Sequence, residues 1–397
     1  MSSTSRAGKA PADVASERMP WTLLWAAALG SFAATCSGSA RAPFLIDMAR
    51  DLDTSLPMVA NLFALTSISW GATSLLAGMG SDRWGRRVFL VGGLLALAVA
   101  LIGVALSGGF LEVAVWSTLA GGCSGVFTGV TFAEVSARVA DRQRGRALGF
   151  VMSGMSLTML VGVPLAAWTG AWIGWRGVNV AVAALALLGA LAMLATTRQP
   201  AGAGRAGGPA VSMRAALTPL VLRLLAMGIA DRTCFGLISV YFATFLQSSY
   251  GIGVEAVALP LALFATGNIL GNTLGGHAAD RFRDRLRIFA LAMLGTGLGG
   301  LALFGWAGGL TVSVALGFLY ILVNAMGRPA LMAALSNVPE HLRGTVMGLN
   351  GACASVGWLL AAALGGWMLV GPGFAGFGPL TAAVALIGAI LALVRVR

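Results

Sequence analysis

Long apolar runs separated by short polar segments dominate the chain. A run of about 20 apolar residues is long enough to cross the ~30 Å hydrocarbon core of a bilayer. The predicted spans are 21–46, 57–79, 88–108, 112–136, 147–171, 177–196, 219–247, 254–277, 286–307, 310–336, 346–370 and 375–394. The loops between them are too short for a soluble domain, so the pattern predicts an all-α integral membrane protein with twelve transmembrane helices.

One polar stretch divides these spans into two sets of six. The segment TTRQPAGAGRAGGPAVSMR, residues 196–214, is basic and rich in Gly and Pro, which is typical of a linker. We therefore expect a tail, a first six-helix half, a linker, a second six-helix half and a short tail, at 1–20, 21–196, 197–218, 219–394 and 395–397 respectively.

The two predicted halves also resemble each other. GMGSDRWGRR (78–87) matches GHAADRFRDR (276–285) at an offset of 198, and TCSG (35–38) matches TCFG (233–236) at the same offset. Several matches at one spacing indicate a duplication. Because each half has an even number of spans, the repeats are parallel and related by an axis along the membrane normal, with the substrate cleft expected between them.

Composition and charge support a membrane protein and argue against a nucleic-acid partner. The chain is 58% apolar and 10% charged, with a mean hydropathy of +0.87. Its net charge of +12 follows the positive-inside rule, since 21 of the 26 Lys and Arg fall in segments expected on the cytoplasmic side. Both termini are expected there, in a bacterial-type inner membrane. Residues 1–20 lack the apolar core of a signal peptide, so the first span is the expected anchor.

No metal, cofactor or catalytic site is expected. Cys36, Cys123, Cys234 and Cys353 show no metal-ligand or disulfide spacing. No Ser/His/Asp set shares one depth, so the chain is not expected to be an enzyme. Its single lysine lies outside any phosphate-binding loop, which argues against an ATP-driven pump.

The motif GMGSDRWGRR carries a family resemblance. It resembles the loop after the second helix of the major facilitator superfamily, matched by Gly78, Asp82, Arg83, Gly85, Arg86 and Arg87. The resemblance implies two six-helix bundles and a gating role for this loop, shared by Asp280 and Arg281 of the repeat. Glycines permit a tight turn, and an aspartate can sit at a helix N-terminus. That the arginines only set topology remains the alternative.

A second motif resembles the drug and sugar efflux branch, the twelve-helix drug:proton antiporters. Its matching residues are Gly154, Gly162, Pro164, Gly170, Gly174, Trp175 and Arg176. The resemblance implies export, with Gly154, Gly162 and Pro164 as gating candidates; ordinary helix packing is the alternative. Ser117 and Ser37 stand where the branch often has an arginine and an acid, which weakens the case for proton antiport.

A charge at mid-membrane costs about 2.5–3.5 kcal/mol, and five charged residues inside the predicted spans are therefore functional candidates. They are Arg41, Glu134, Asp231, Arg232 and Arg328. Arg41 could snorkel towards Asp47, and Glu134 could pair with Arg138 at i+4. Glu134 and Asp231 are also the candidates for proton coupling, because desolvation favours a protonated carboxyl.

The three arginines suggest a substrate charge. In the fold that the resemblance implies, spans 1, 4, 7 and 10 line the cavity, and Arg41, Arg232 and Arg328 lie on three of them. Guanidinium groups bind carboxylates and phosphates through paired hydrogen bonds, so an anionic substrate is the leading hypothesis. Mutual neutralisation of the charges, leaving a cavity for neutral or lipophilic compounds, is the alternative. Further substrate-binding candidates are Thr35, Ser37, Phe235, Tyr241 and Asn324.

These observations lead to one functional hypothesis and three alternatives. The hypothesis is a monomeric secondary transporter in the lipid bilayer that exports a small organic anion by alternating access, with protons as the candidate coupling ion. The alternatives are an importer or uniporter for similar anions, efflux of neutral or lipophilic drugs, and a membrane receptor that does not transport.

Overall fold

The computed structural model describes residues 19–197, 217–282, 284–306 and 308–394, and the regular structure in these ranges is helical. The helices are α1 (Trp21–Ser39), α2 (Leu45–Asp51), α3 (Leu56–Trp84), α4 (Arg86–Leu106), α5 (Phe110–Arg138), α6 (Asp141–Leu157), α7 (Val163–Thr196), α8 (Pro219–Tyr250), α9 (Ala258–Arg281), α10 (Arg285–Gly305), α11 (Leu310–Leu335), α12 (Glu340–Val370) and α13 (Phe377–Leu393). Residues 1–18 of the predicted tail 1–20, residues 198–216 of the predicted linker 197–218 and the predicted tail 395–397 lie outside the described residues.

Ten helical segments among the described residues are long and apolar enough to cross a membrane. One of them, 143–196, is 54 residues long and joins two predicted spans. A π turn at Thr158–Gly162 links α6 to α7, and Gly174 interrupts α7 with φ 67° and ψ 172°. Glycine tolerates this positive φ. α8, which carries Asp231 and Arg232, is not among the ten.

The helices pack in two groups that follow the chain. The first group comprises α1 to α7 and the second α8 to α13. Between the groups, α3 packs on α12, α7 packs on α9, and α8 packs on the 3₁₀ turn Ala42–Phe44. The first predicted span, 21–46, is therefore broken: α1 ends at Ser39 and this turn leads into α2.

Both groups contain very close helix contacts made by glycine. A Cβ at Gly125 of α5 would lie 2.3 Å from the Trp70 carbonyl oxygen of α3, and a Cβ at Gly271 of α9 would lie 2.2 Å from that of Leu322 in α11. At the repeat offset α3 corresponds to α9 and α5 to α11. In the first group the glycine lies on α5, and in the second group it lies on α9, which corresponds to the partner helix α3. In both groups the glycine allows the two backbones to come into contact.

The ends of the bundle differ in chemistry. The Arg-rich end, as we call it, carries the α3–α4 and α9–α10 connections, where Gly85 (φ 87°) separates α3 from α4. The opposite end carries α2 and the Gly174 turn. There Trp175 Nε1 donates to Asp51 Oδ2 at 3.0 Å, and Arg176 lies 3.5 Å from the same carboxylate. These contacts connect the residues after the Gly174 turn to α2.

Candidate functional site

A cavity of about 650 Å³ lies between the two helix groups. Its walls come from α1, α3, α5, α6, the π turn and α12. They include Thr35, Ser39, Phe63, Thr66, Ser67, Trp70, Ser74, Thr128, Phe132, Met155, Met159, Met347, Ser355 and Trp358. None of the residues that line it is charged. The wall offers hydroxyls, aromatic rings and thioethers, which suit an uncharged, partly apolar molecule.

The cavity approaches the Arg-rich end and is closed at the opposite end. Gly78 and Met347, which line it, lie within two turns of the Arg-rich ends of α3 and α12. At the opposite end the buried Gln247 Nε2 donates to the Pro43 carbonyl oxygen at 2.8 Å, across the two groups. Beyond Phe63 a second void of about 20 Å³ continues towards α8 and α9.

A closed polar network occupies the interior of the second group. Arg328 Nε lies 3.1 Å from Asp231 Oδ2, and Asn324 Nδ2 donates to Asp231 Oδ1 at 3.2 Å. Arg328 also donates to Asn268 Oδ1 at 2.7 Å and to Asn324 Oδ1 at 2.6 Å. The side chains of Asp231 and Arg328 are 2% and 8% exposed. The pair is thus desolvated, and each charge has its own set of hydrogen-bond partners.

Aromatic rings stand between this network and the cavity. The Arg328 guanidinium carbon lies 4.3 Å from the centroid of the Phe235 ring, which meets Trp358 edge to face at 5.5 Å. Trp358 lines the cavity, whereas neither Arg328 nor Phe235 does. Arg328 and Asn324 are therefore engaged with Asp231, as the neutralisation alternative requires.

Arg232 is placed differently from Arg328. Its Nε lies 3.8 Å from Asp231 Oδ2, and its Cβ packs so closely on α12 that a Cβ at Gly357 would lie 2.4 Å away. Arg232 is not among the residues that line the cavity. The expected convergence of three arginines on one cleft is therefore wrong in this structure. A repeat offset fixes the helix position, but packing decides which face turns inwards.

Arg41 carries a buried guanidinium, and no described residue provides it with a carboxylate partner. It is 8% exposed, its Nη2 donates to the Ser37 carbonyl oxygen at 3.0 Å, and its guanidinium carbon lies 5.4 Å from the Phe63 ring centroid. Its Nη1 is buried and has no hydrogen-bond partner. Asp47, the expected target of snorkelling, pairs instead with Arg50 at 3.0 Å.

The other polar candidates divide between the cavity and the helix interfaces. Thr35 lines the cavity. Ser37 is buried, with its Oγ 3.1 Å from that of Ser124, and therefore joins α1 to α5. Tyr241 is also buried, and its hydroxyl donates to the Ala362 carbonyl oxygen at 2.7 Å, joining α8 to α12.

Glu134 lies in an ion-pair cluster near the Arg-rich end. Its Oε1 is 2.6 Å from Arg138 Nε, the pairing expected for residues four apart on a helix, and its Oε2 is 3.7 Å from Arg86 Nη1. Arg86 also donates to the Ala133 carbonyl oxygen at 3.3 Å. The cluster therefore connects the α3–α4 connection to α5 within the first helix group.

The remaining residues of the first motif lie around this cluster. Arg87 donates to the Leu194 carbonyl oxygen at 3.2 Å, and the Arg83 guanidinium carbon is 5.9 Å from the Trp84 ring. Asp82 belongs to the last turn of α3 and not to the first turn of a helix, and its side chain lies outside the described part of the chain. Gly78 lines the cavity.

In the second group, the corresponding residues lie at a surface hollow. Asp280 and Arg281 end α9 and line this hollow together with Asn337. Arg285 Nε donates to the Ala279 carbonyl oxygen at 3.4 Å. The two connections share an end of the bundle but differ in their contacts.

The residues of the second motif pack on α1. A Cβ at Gly154 would lie 2.4 Å from the Ala28 carbonyl oxygen, and one at Gly162 would lie 2.8 Å from Cys36 Sγ. Pro164 follows the π turn in the first turn of α7, where its missing N–H is tolerated. These contacts are those of close helix packing.

Several cavity residues were missed in the sequence. Ser67, Gly71 and Ser74 of α3 line the cavity, as do Gly348, Gly351 and Ser355 of α12. Small residues three and four apart lie on one helical face, so this spacing was the available signal. Ser239, which lines the small void, and Gln247 carry no comparable sequence signal.

Comparison with known proteins agrees with this architecture. The model of the Major Facilitator Superfamily matches residues 27–230 and 224–397. The chloramphenicol resistance protein of Streptomyces lividans is 28% identical over 265 residues, which are 66% of this chain and 65% of that protein, slightly less than two thirds of its length. The uncharacterized MFS-type transporter YwfA of Bacillus subtilis is 25% identical over 381 residues, covering 94% and 91%. The crystal structure of a D-xylose-proton symporter has a TM-score of 0.79 at 15% identity, covering 95% and 98%.

Proposed function

The chain belongs to the Major Facilitator Superfamily, and from this premise we propose that it exports a small organic molecule by alternating access between its two helix groups. Membership makes it a multi-pass membrane transporter and not an enzyme. The proposed form is a monomer in a bacterial inner membrane, with twelve crossings in two parallel repeats. The Arg-rich end and both termini would face the cytoplasm, in keeping with the positive-inside rule.

The observation that carries this proposal is the central cavity. It lies between the two helix groups, approaches the Arg-rich end and is closed at the opposite end by the Gln247–Pro43 hydrogen bond. A cavity closed on one side is what one state of an alternating-access cycle requires. In the proposed cycle this hydrogen bond breaks when the groups rock to open the opposite end.

The cavity lining favours a substrate with an uncharged, partly apolar body. No residue that lines the cavity is charged, and four aromatic residues line it, namely Phe63, Trp70, Phe132 and Trp358. This supports efflux of neutral or lipophilic compounds over a fully anionic substrate. The name of the Streptomyces relative, a chloramphenicol resistance protein, supports export and makes chloramphenicol a suitable probe.

Protons are the proposed coupling ion, with Asp231 as the residue that would carry them. Its side chain is 2% exposed and pairs with Arg328, so a change at this carboxyl would act directly on the contact between α8 and α11. Glu134 is the second candidate, although two arginines hold it near the Arg-rich end. The absence of an acid at Ser37 and an arginine at Ser117 keeps uniport as the alternative.

Flux of chloramphenicol in membrane vesicles tests the proposal. Inside-out vesicles that contain the protein should accumulate radiolabelled chloramphenicol when their lumen is acidic, and Gly351→Leu should abolish this flux. Gly351 lines the cavity and has free space around it, so a larger side chain there fills the substrate volume. Gly92→Leu is the matched control, because Gly92 also has free space but lies on α4 away from the cavity.

Each other outcome selects an alternative. A rate of chloramphenicol flux that does not change with the pH gradient would identify a uniporter. Accumulation only in right-side-out vesicles would identify an importer. If no orientation moves chloramphenicol faster than vesicles without the protein, the proposed substrate class is wrong. Inhibition by both leucine variants alike would show that the cavity is not the route.

A further inference from the structure

The ring of Phe235 contacts both the wall of the main cavity and the buried ion pair. Phe235 is 6% exposed, and its ring meets the Trp358 ring edge to face, with the centroids 5.5 Å apart and the planes at 85°. The Arg328 guanidinium carbon lies 4.3 Å from the centroid of the same Phe235 ring. Trp358 lines the main cavity, whereas Arg328 and Asp231 do not. One buried ring therefore joins a cavity residue to the pair.

The Arg328 guanidinium is held both at its edge and on its face. Its three nitrogens each donate to one side chain, at 3.1 Å to Asp231, 2.7 Å to Asn268 and 2.6 Å to Asn324. A guanidinium is planar, so these hydrogen bonds use its edge, and the Phe235 ring makes a cation–π contact with it. A displacement of this ring therefore changes the cation–π contact, the hydrogen bond to Asp231, or both.

The backbone of α12 is fixed against α8 on both sides of Trp358. A Cβ at Gly357 would lie 2.4 Å from Arg232 Cβ, and a Cβ at Gly236 would lie 2.6 Å from Ala361 Cβ. The Trp358 side chain has more freedom than this backbone, because it also lines the void of about 20 Å³. Close-packed interiors transmit strain, so a molecule that presses on Trp358 displaces the ring rather than the helix.

We propose that Phe235 is a positioning residue that couples occupancy of the main cavity to the Asp231–Arg328 pair. A molecule in the cavity contacts Trp358, Trp358 contacts Phe235, and Phe235 sets the position of the Arg328 guanidinium. The inference rests on the proposed function, because it takes the cavity as the substrate site and Asp231 as the proton carrier. It gives a physical route by which a substrate that never touches the pair alters it.

A thermodynamic cycle of chloramphenicol binding tests this coupling. The Kd is measured by calorimetry in nanodiscs for the unchanged protein, for Asp231→Asn with Arg328→Met, for Phe235→Met, and for all three changes together. Removal of the pair should change the Kd about fivefold or more when Phe235 is present, the lower end of typical coupling between sites. With Phe235→Met the same removal should change the Kd by less than about twofold.

The choice of side chains keeps the test specific to the ring. Methionine is flexible and fills an apolar site without an aromatic face, and Phe235→Leu is the second variant if Phe235→Met does not fold. Phe242→Met is the matched control. Phe242 lies two turns further along α8, is 1% exposed, and has its described ring contact with Phe264, at 5.9 Å. In the control background the effect of the pair on the Kd should remain about fivefold or more.

The outcomes separate this inference from the proposed function. If removal of the pair leaves the Kd unchanged in the presence of Phe235, the coupling is overturned and the cavity remains the transport site. If the change in Kd is the same with Phe235 and with Phe235→Met, or if Phe242→Met abolishes it as fully, the assignment to Phe235 is wrong. If chloramphenicol binds to none of these forms, the proposed substrate class is wrong, and the coupling falls with it.

A flux measurement distinguishes coupling from a purely structural role of Phe235. In inside-out vesicles, Phe235→Met should remove the dependence of chloramphenicol accumulation on an acidic lumen, whereas Phe242→Met should retain it. The titratable groups described around Asp231 are Arg232 and Cys234 on α8 and Tyr320 and Arg328 on α11. If Phe235→Met lowers flux by the same factor with and without the pH gradient, the ring is only structural and the inference is overturned.

Discussion

The two helix groups treat buried charge in opposite ways. In the second group Asp231 and Arg328 form a closed pair with two asparagines, whereas Arg41 of the first group has no carboxylate partner among the residues that the structure describes. At the repeat-related positions of the first group, Asp231 and Arg232 correspond to Ala33 and Ala34, both fully buried. The duplication therefore preserved the helix scaffold but not the charges.

The two groups therefore differ in whether their buried charges are satisfied within the protein. A pair whose partners satisfy each other has little left to donate, and removal of one member leaves a buried charge uncompensated. An unpaired guanidinium has already lost its hydration and gains from any anion that reaches it. The closed pair should accordingly contribute more to stability than Arg41 does.

The largest expected effect tests the closed pair. Asp231→Ala leaves Arg328 buried without its counter-charge and should lower the free energy of unfolding by about 3–5 kcal/mol. Thermal or denaturant unfolding in detergent micelles measures the loss. The combined change of Asp231→Asn with Arg328→Met is the control, because it removes both charges and should recover most of the stability. Unchanged stability in Asp231→Ala would show that the pair is not closed.

An intermediate effect tests whether the two scaffolds are equivalent. Gly125→Ala and Gly271→Ala each drive a methyl group into a backbone carbonyl of the neighbouring helix, and each should cost about 1–3 kcal/mol. The same unfolding measurement applies, with Gly92→Ala as a control that meets no atom. A large loss for one glycine and none for the other would break the equivalence of the two groups.

The smallest effect on stability is expected for Arg41. Arg41→Met removes an uncompensated buried charge and retains an apolar chain of similar length, so the free energy of unfolding should change by about 1 kcal/mol or less, or increase. The measurement compares the change in the free energy of unfolding caused by Arg41→Met with that caused by Asp231→Ala. A loss comparable to that of Asp231→Ala would mean that Arg41 is already paired in the folded protein.

Much of the fold could be predicted because it depends on local sequence. Apolar run length located the helices: the predicted span 310–336 corresponds to α11, Leu310–Leu335. Family membership followed from the spacing of residues such as Gly85, whose φ of 87° shows why glycine is needed there. The break after Ser39 was missed because the run of apolar residues continues through it.

The site was harder to predict because it depends on side-chain direction. Arg232 and Arg328 lie on helices that were expected to line the cavity, yet neither arginine is among the residues that line it. Neighbouring residues on a helix point about 100° apart, so a small rotation of α8 decides which of its polar residues meets the cavity. Tyr241 is a predicted substrate-binding residue because it lies on the same helix. Its hydroxyl instead donates to the Ala362 carbonyl oxygen and so joins α8 to α12.

By itself, the sequence determined that this protein is a polytopic helical membrane transporter with a duplicated helix pattern, since hydrocarbon thickness and loop charge act on each segment separately. Only the tertiary structure decided which charges neutralise each other and which remains free. Asp231 meets Arg328 across 97 residues of sequence, while the Arg41 guanidinium lies over the Phe63 ring. Electrostatic pairing depends on a few ångströms between helices, and no local pattern in the sequence records that distance.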